Sequence, residues 1–120
     1  MEKDATTIGL TKENHSMLKK FDEENIFNEM KDGYRFAIAY SLSKGAIPEK
    51  VSGGKTTIFN VGSIDENQEI SSAILALSPQ IEVPVYVYAE RLAEAGMTEL
   101  VKIYRQNNRL NLSEIIEETS

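Results

Sequence analysis

With 120 residues and a formal net charge of -6, from 13 basic against 19 acidic side chains, the chain is long enough to bury one core without staples. It is too acidic to bind nucleic acid over its whole surface, although a local basic patch is compatible with that balance. The absence of cysteine and the presence of one histidine exclude disulfides, thiolate metal sites and cysteine nucleophiles, and leave His15 without the further ligands that zinc requires.

Residues Met1 to Thr7 read as a polar, frayed start, and the Glu2-Lys3-Asp4 run after Met1 predicts no signal peptide. No stretch approaches the ~18 apolar residues of a membrane span, so a cytoplasmic protein without membrane contact is expected. Thr7 to Leu10 suit a short strand, and Thr11 suits the N-cap of a helix through Lys20 that carries Met17, Leu18 and Phe21. Strand, helix, helix in that order resembles a ribbon-helix-helix repressor, in which two chains pair their strands and place the ribbon in the major groove. Such a ribbon needs polar and basic residues on its outer face, and this one offers only Thr7 and Gly9. Asp22, Glu23 and Glu24 then form an acidic run suited to a solvated turn.

The longest apolar helical pattern runs from Phe27 to Gly45. Met30, Tyr34, Ile38 and Leu42 recur every four residues, with Phe27, Ala37 and Tyr40 close to the same stripe. Ala37 and Ala39 are small enough to admit another helix, Gly45 is placed to end this one in a left-handed conformation, and Pro48 excludes continuation. This segment is the expected core helix.

Ala46 to Gly54 reads as a loop. Ser52-Gly53-Gly54-Lys55-Thr56 is not a phosphate loop, because Glu49 stands where that motif needs glycine and the next residues, Thr56 to Val61, alternate like a strand. Lys44, Lys50 and Lys55, with Arg35 one face away, are candidates for contact with an anion or a nucleic-acid backbone.

Asp65 is expected to open a helix with Gln68 as its capping-box partner and Ile70, Ala73, Ile74 and Leu77 as its apolar face, ended by Ser78-Pro79. Pro84 marks the start of another, through Ala95, that stops at Gly96; Thr98 caps a successor carrying Leu100, Val101, Ile103 and Tyr104. A capped turn or short helix at Ser113 closes the chain, and its Ile115 and Ile116 are expected to dock on the body or on a partner. Tyr86, Tyr88 and Tyr104 read as core tyrosines with wetted hydroxyls, and Glu90 and Glu94 as acids on an exposed helix face. No nucleophile, base and acid stand in a catalytic pattern, so the chain is expected not to be an enzyme and to need no cofactor or metal.

Ile26-Phe27, Glu29-Met30-Lys31-Asp32, Phe36-Ala37-Ile38-Ala39-Tyr40 and Lys44-Gly45 together resemble a helix of the small accessory proteins found with bacterial DNA phosphorothioation (Dnd) systems. The resemblance covers about 20 residues; Ser41 stands where glycine is usual, and Ala46-Ile47-Pro48 replaces a basic run. It implies an accessory role in DNA modification, restriction or its regulation, with the chemistry in partner enzymes. The sequence therefore predicts a single mostly α domain over 1–120, of about five helices with a short β-hairpin or β-element, α+β being the alternative class. The expected function is a non-enzymatic accessory or interaction protein of a bacterial DNA-modification or defence system, acting through protein contacts, with self-association as a further option. The alternative is a small DNA-binding regulator using Arg35, Lys44, Lys50 and Lys55.

Overall fold

The structure, a computed structural model, describes residues 3–119. Among them the order is β1 (Thr7–Thr11), α1 (Lys12–Glu23), α2 (Met30–Ser43), β2 (Lys55–Asn60), α3 (Val61–Ile64), α4 (Glu69–Leu77), α5 (Val85–Asn107) and α6 (Leu112–Thr119). This is a mostly α domain with one small sheet. β1 and β2 pair antiparallel, with an irregularity between Ile8 and Gly9, and α1 and α2 lie between them in the chain in place of a tight turn.

Thr11 caps α1 as its residue type dictates, its side chain accepting from the Asn14 amide at 3.4 Å. The apolar positions Leu18 and Phe21 of that helix are fully buried. α2 begins at Met30, three residues later than expected, and Phe27 is buried ahead of it in a bend between the rings of Phe21 and Phe36. The buried face of α2 is Gly33, Tyr34, Ala37, Ile38 and Ser41, while Met30 and Leu42 are half-buried. The stripe thus combines the large side chains of Tyr34 and Ile38 with the small residues Gly33, Ala37 and Ser41. Gly45 follows the helix at φ 67°, as its type suits.

The small residues of α2 receive α5. A Cβ at Gly96 would lie 2.1 Å from the Ala37 carbonyl oxygen, so the two backbones touch, and Ser41 donates to the Leu92 carbonyl at 2.7 Å beside that contact. Gly96 therefore does not end a helix. It allows a 23-residue helix to pass against α2 unbroken, and Thr98, expected as a cap, sits inside it. Ala89, Leu92, Ala93, Met97 and Leu100 form the buried face of α5.

Two ends are tied down by distant carboxylates. Of the expected frayed start, residues 1 and 2 lie outside the described part, but Asp4 accepts from the Tyr86 and Val87 amides at 3.1 and 3.3 Å, filling the cap that Pro84 cannot supply at the start of α5. Asp65 does cap α4, as its type predicts, but from four residues upstream. It accepts from the Ile70 and Ser71 amides at 2.8 and 3.1 Å, while Gln68, at φ 59°, forms the turn instead of a capping box. Burial pushes the Asp65 carboxyl up, but hydrogen bonds from Tyr86, Ile70 and Ser71 outweigh it and hold the group below its ordinary value. Leu77, expected on the apolar face of α4, is 65% exposed because the helix has by then run past the core. In α6, Ile115 docks on the body and Ile116 is exposed, and Asn111, not Ser113, accepts from the Glu114 amide.

Gly96→Ala separates two readings of this glycine. Helix propensity alone predicts a gain of about 1 kcal/mol, whereas the contact with Ala37 predicts a loss of about 1–3 kcal/mol from overpacking, measured by urea unfolding.

A charged groove on the outer face of α5

Beside its core contacts α5 carries two glutamates that meet β1. Glu90 and Glu94 are one turn apart, a rise of about 6.0 Å, and the alternate residues of a strand are about 6.6 Å apart. The two spacings match closely enough for one carboxylate to meet each of the Gly9 and Thr11 amides. Glu90 Oε2 accepts from Gly9 N at 2.8 Å, and Glu94 Oε1 accepts from Thr11 N at 3.0 Å. The Gly9 carbonyl, on the same edge, accepts from the Tyr34 hydroxyl at 3.0 Å. Burial, and then the charges of Glu90 and Glu94, push the Tyr34 phenol well above its ordinary value, so it remains a neutral donor. Both edges of β1 are occupied, one by β2 and one by side chains. From Gly9 to Thr11 that outer edge is taken by side chains of the same chain, the edge on which a ribbon-helix-helix pairing would draw.

Glu90 is buried and Glu94 half-buried, not on the exposed face that their spacing suggested. Glu90 Oε1 also takes the ammonium of Lys55. Glu94 Oε2 takes the Thr11 hydroxyl at 2.9 Å and the Asn14 amide nitrogen at 2.7 Å. Asn14 donates in addition to the Thr98 hydroxyl at 3.1 Å, which itself donates to the Glu94 carbonyl.

Beyond this network the next face of the helix forms the floor of a groove of about 690 Å³. Arg91, Ala95, Thr98, Lys102 and Arg105 run along it, with the start of α1 (Thr11, Glu13, Asn14) on one side and the loop residues Glu49 to Ser52 on the other. Arg105 pairs with Glu13 at 3.2 Å and Lys102 with Glu99 at 3.4 Å, both exposed pairs that exchange readily with other partners. Among the described residues no side chain pairs with Arg91 or Lys50. A smaller depression of about 300 Å³, lined by Tyr40, Lys44, Ala46 and Glu99, shares Ala95 and Thr98 with the groove.

The four basic residues expected to act together are placed apart. Only Lys50 lines the groove. Lys55 is committed to Glu90; Lys44 lies 5.6 Å from the centre of the Tyr40 ring. Arg35 donates to the Ile64 and Ser63 carbonyls at 2.8 and 3.2 Å, tying α2 to α3. The groove's other cations are Arg91, Lys102 and Arg105. Their common face follows from spacings of 11 and 3 residues, and it becomes visible only once α5 is taken through Gly96. His15 is half-buried on α1, its imidazole held below the ordinary value by burial and by Lys19. Among the described residues no group of three or more His, Asp or Glu side chains is placed to hold a metal ion, and no helix is long and apolar enough to cross a membrane.

Comparison with known proteins finds no family model that matches the chain, no curated protein with a significant match and no solved structure with a significant match.

Glu90→Ala leaves the Gly9 amide without its acceptor, while half-exposed Lys55 can turn to water. The expected loss of stability is about 1–3 kcal/mol, with a smaller loss for Glu90→Gln, whose carbonyl oxygen can still accept. Equal stability of the alanine variant and the wild type in urea would show that Glu90 does not hold the strand.

Proposed function

We propose that the chain is a non-enzymatic accessory protein that works by holding a protein partner in the groove along α5, within a bacterial DNA-modification or defence system. The observation that carries the contact is the groove: a volume of about 690 Å³, a floor kept shallow by the small side chains of Ala95 and Thr98, and two cations, Arg91 and Lys50, that no side chain among the described residues pairs with. A fixed helix face of this kind presents its side chains without the ordering cost that a loop would add.

The assignment to a DNA-modification system rests on the resemblance of Ile26 to Gly45 to Dnd-associated accessory proteins. In that stretch Phe27, Ala37 and Ile38 are buried core residues, so what the resemblance carries is the scaffold that sets α2 against α5. The cytoplasm is the proposed location for such a partner. A DNA-binding regulator built on Arg35, Lys44, Lys50 and Lys55 has less in its favour, since Arg35 and Lys55 are spent on internal partners.

The test is capture from the native cell with the full chain and with Thr98→Trp, which fills the floor of the groove from an exposed position; it removes one Asn14 hydrogen bond, while Asn14 keeps Glu94, and circular dichroism checks that the variant is folded. The wild type is expected to retain a subunit of a DNA-modification or restriction machinery after nuclease treatment, and the variant to lose it. Equal retention by both, or retention that disappears with the nuclease, contradicts the proposal.

A further inference from the structure

The charges in the groove are not all available. Glu94 is saturated by Thr11 and Asn14, and Glu13 is engaged by Arg105. Four cations, Lys50, Arg91, Lys102 and Arg105, line the groove with three acids, Glu13, Glu49 and Glu94; Arg105 is matched by Glu13 and Lys102 by Glu99 in exposed pairs, and Arg91 and Lys50 have no ion-pair partner among the described residues. Arg91 is open to a negative charge from outside, and Lys102 and Arg105 can exchange their exposed partners for one.

Spacing sets the form of that charge. Arg91 and Lys102 are eleven residues apart, three helical turns, so they share a face at a separation of about 16 Å. A single phosphate or carboxylate cannot reach both. An extended polypeptide, rising about 3.3 Å per residue, covers the distance in about five residues. Between the two cations the floor is aliphatic and low, formed by Ala95 and Val101 with the Thr98 hydroxyl already paired in both directions. That surface suits a neutral stretch of chain.

A nucleic-acid strand fits less well. Among the described residues no aromatic side chain lines the groove to stack a base. Glu13, Glu49 and Glu94 also line it, and a strand with a charge on every nucleotide has to pass them, whereas a polypeptide can set neutral residues opposite.

We infer that the groove binds an extended acidic segment of a polypeptide, with one carboxylate residue at Arg91, another at Lys102 and Arg105, and a neutral stretch of about four to six residues between them. This rests on the reading of the groove as a protein-contact surface and adds the chemistry of what it takes.

The test is selection of peptides from a displayed random library against the full chain. Binding of the selected peptides is then measured on wild type, on Arg91→Glu with Lys102→Glu, on the neutral pair Arg91→Gln with Lys102→Gln, and on Lys19→Glu as a control on α1. Circular dichroism checks that each variant is folded. The expected result is enrichment of Asp and Glu on both sides of a neutral stretch, affinity that falls as salt rises, and weakening of about tenfold or more in the acidic double variant. The neutral pair should weaken binding less, and the control should leave it unchanged. Failure to enrich peptides, enrichment of neutral or basic ones, or equal binding to wild type and double variant overturns the inference. So does tighter binding of oligothymidylate than of any selected peptide at the same residues. Selected peptides that lack acids but are blocked by Thr98→Trp would leave the groove as a protein-contact surface and remove only its acidic specificity.

Discussion

Two glutamates of one helix stand in for a missing strand, and most of the architecture depends on them. Glu90 and Glu94 accept from the outward amides of β1, so the sheet needs no third strand and α5 is held along its edge. The same carboxylate of Glu94 reaches Thr11 and Asn14, where β1 becomes α1, and so fixes the direction in which α1 leaves the sheet. From that junction α1 and α2 pack against α5, and the chain returns through β2 with Lys55 on Glu90. One helical turn of α5 therefore organises both ends of the first half of the molecule.

A buried carboxylate is costly unless its oxygens are engaged, and here each has a partner. Glu90 has an amide on one oxygen and an ammonium on the other. Tyr34 completes the edge as a donor that stays protonated, because burial, and then the charges of Glu90 and Glu94, oppose its ionisation. No buried side-chain nitrogen or oxygen among the described residues lacks a hydrogen-bond partner. The groove is the outer consequence of this arrangement. With one face of α5 on the core and its glutamates on β1, the next face round, from Arg91 to Arg105, is left to solvent with its cations only partly matched.

Local chemistry was legible in the sequence where a residue acts on its own neighbours. Thr11 as a cap, β1, β2, the burial of Tyr34, Ala37 and Ile38, and the left-handed Gly45 all follow from short-range pattern. What was not legible depends on contacts across the fold. Gly96 has the sequence of a helix stop and the role of a close contact, and only the Ala37 carbonyl opposite it distinguishes the two. Reading it as a stop split α5, hid the stripe from Arg91 to Arg105, and left Glu90 and Glu94 looking exposed. Asp4 likewise belongs to a polar start by composition and to the α5 cap by position. The basic set Arg35, Lys44, Lys50 and Lys55 was drawn from proximity in the chain, and α2 and β2 carry its members to different places.

The most direct test of the account is amide hydrogen exchange of β1 in the wild-type protein. If α5 closes the outer edge, Gly9 and Thr11 will exchange as slowly as the β1 amides that pair with β2, although no strand lies on their side. Exchange of both at the rate of an open strand edge would show that the glutamates do not hold it, and the organisation described here would fail.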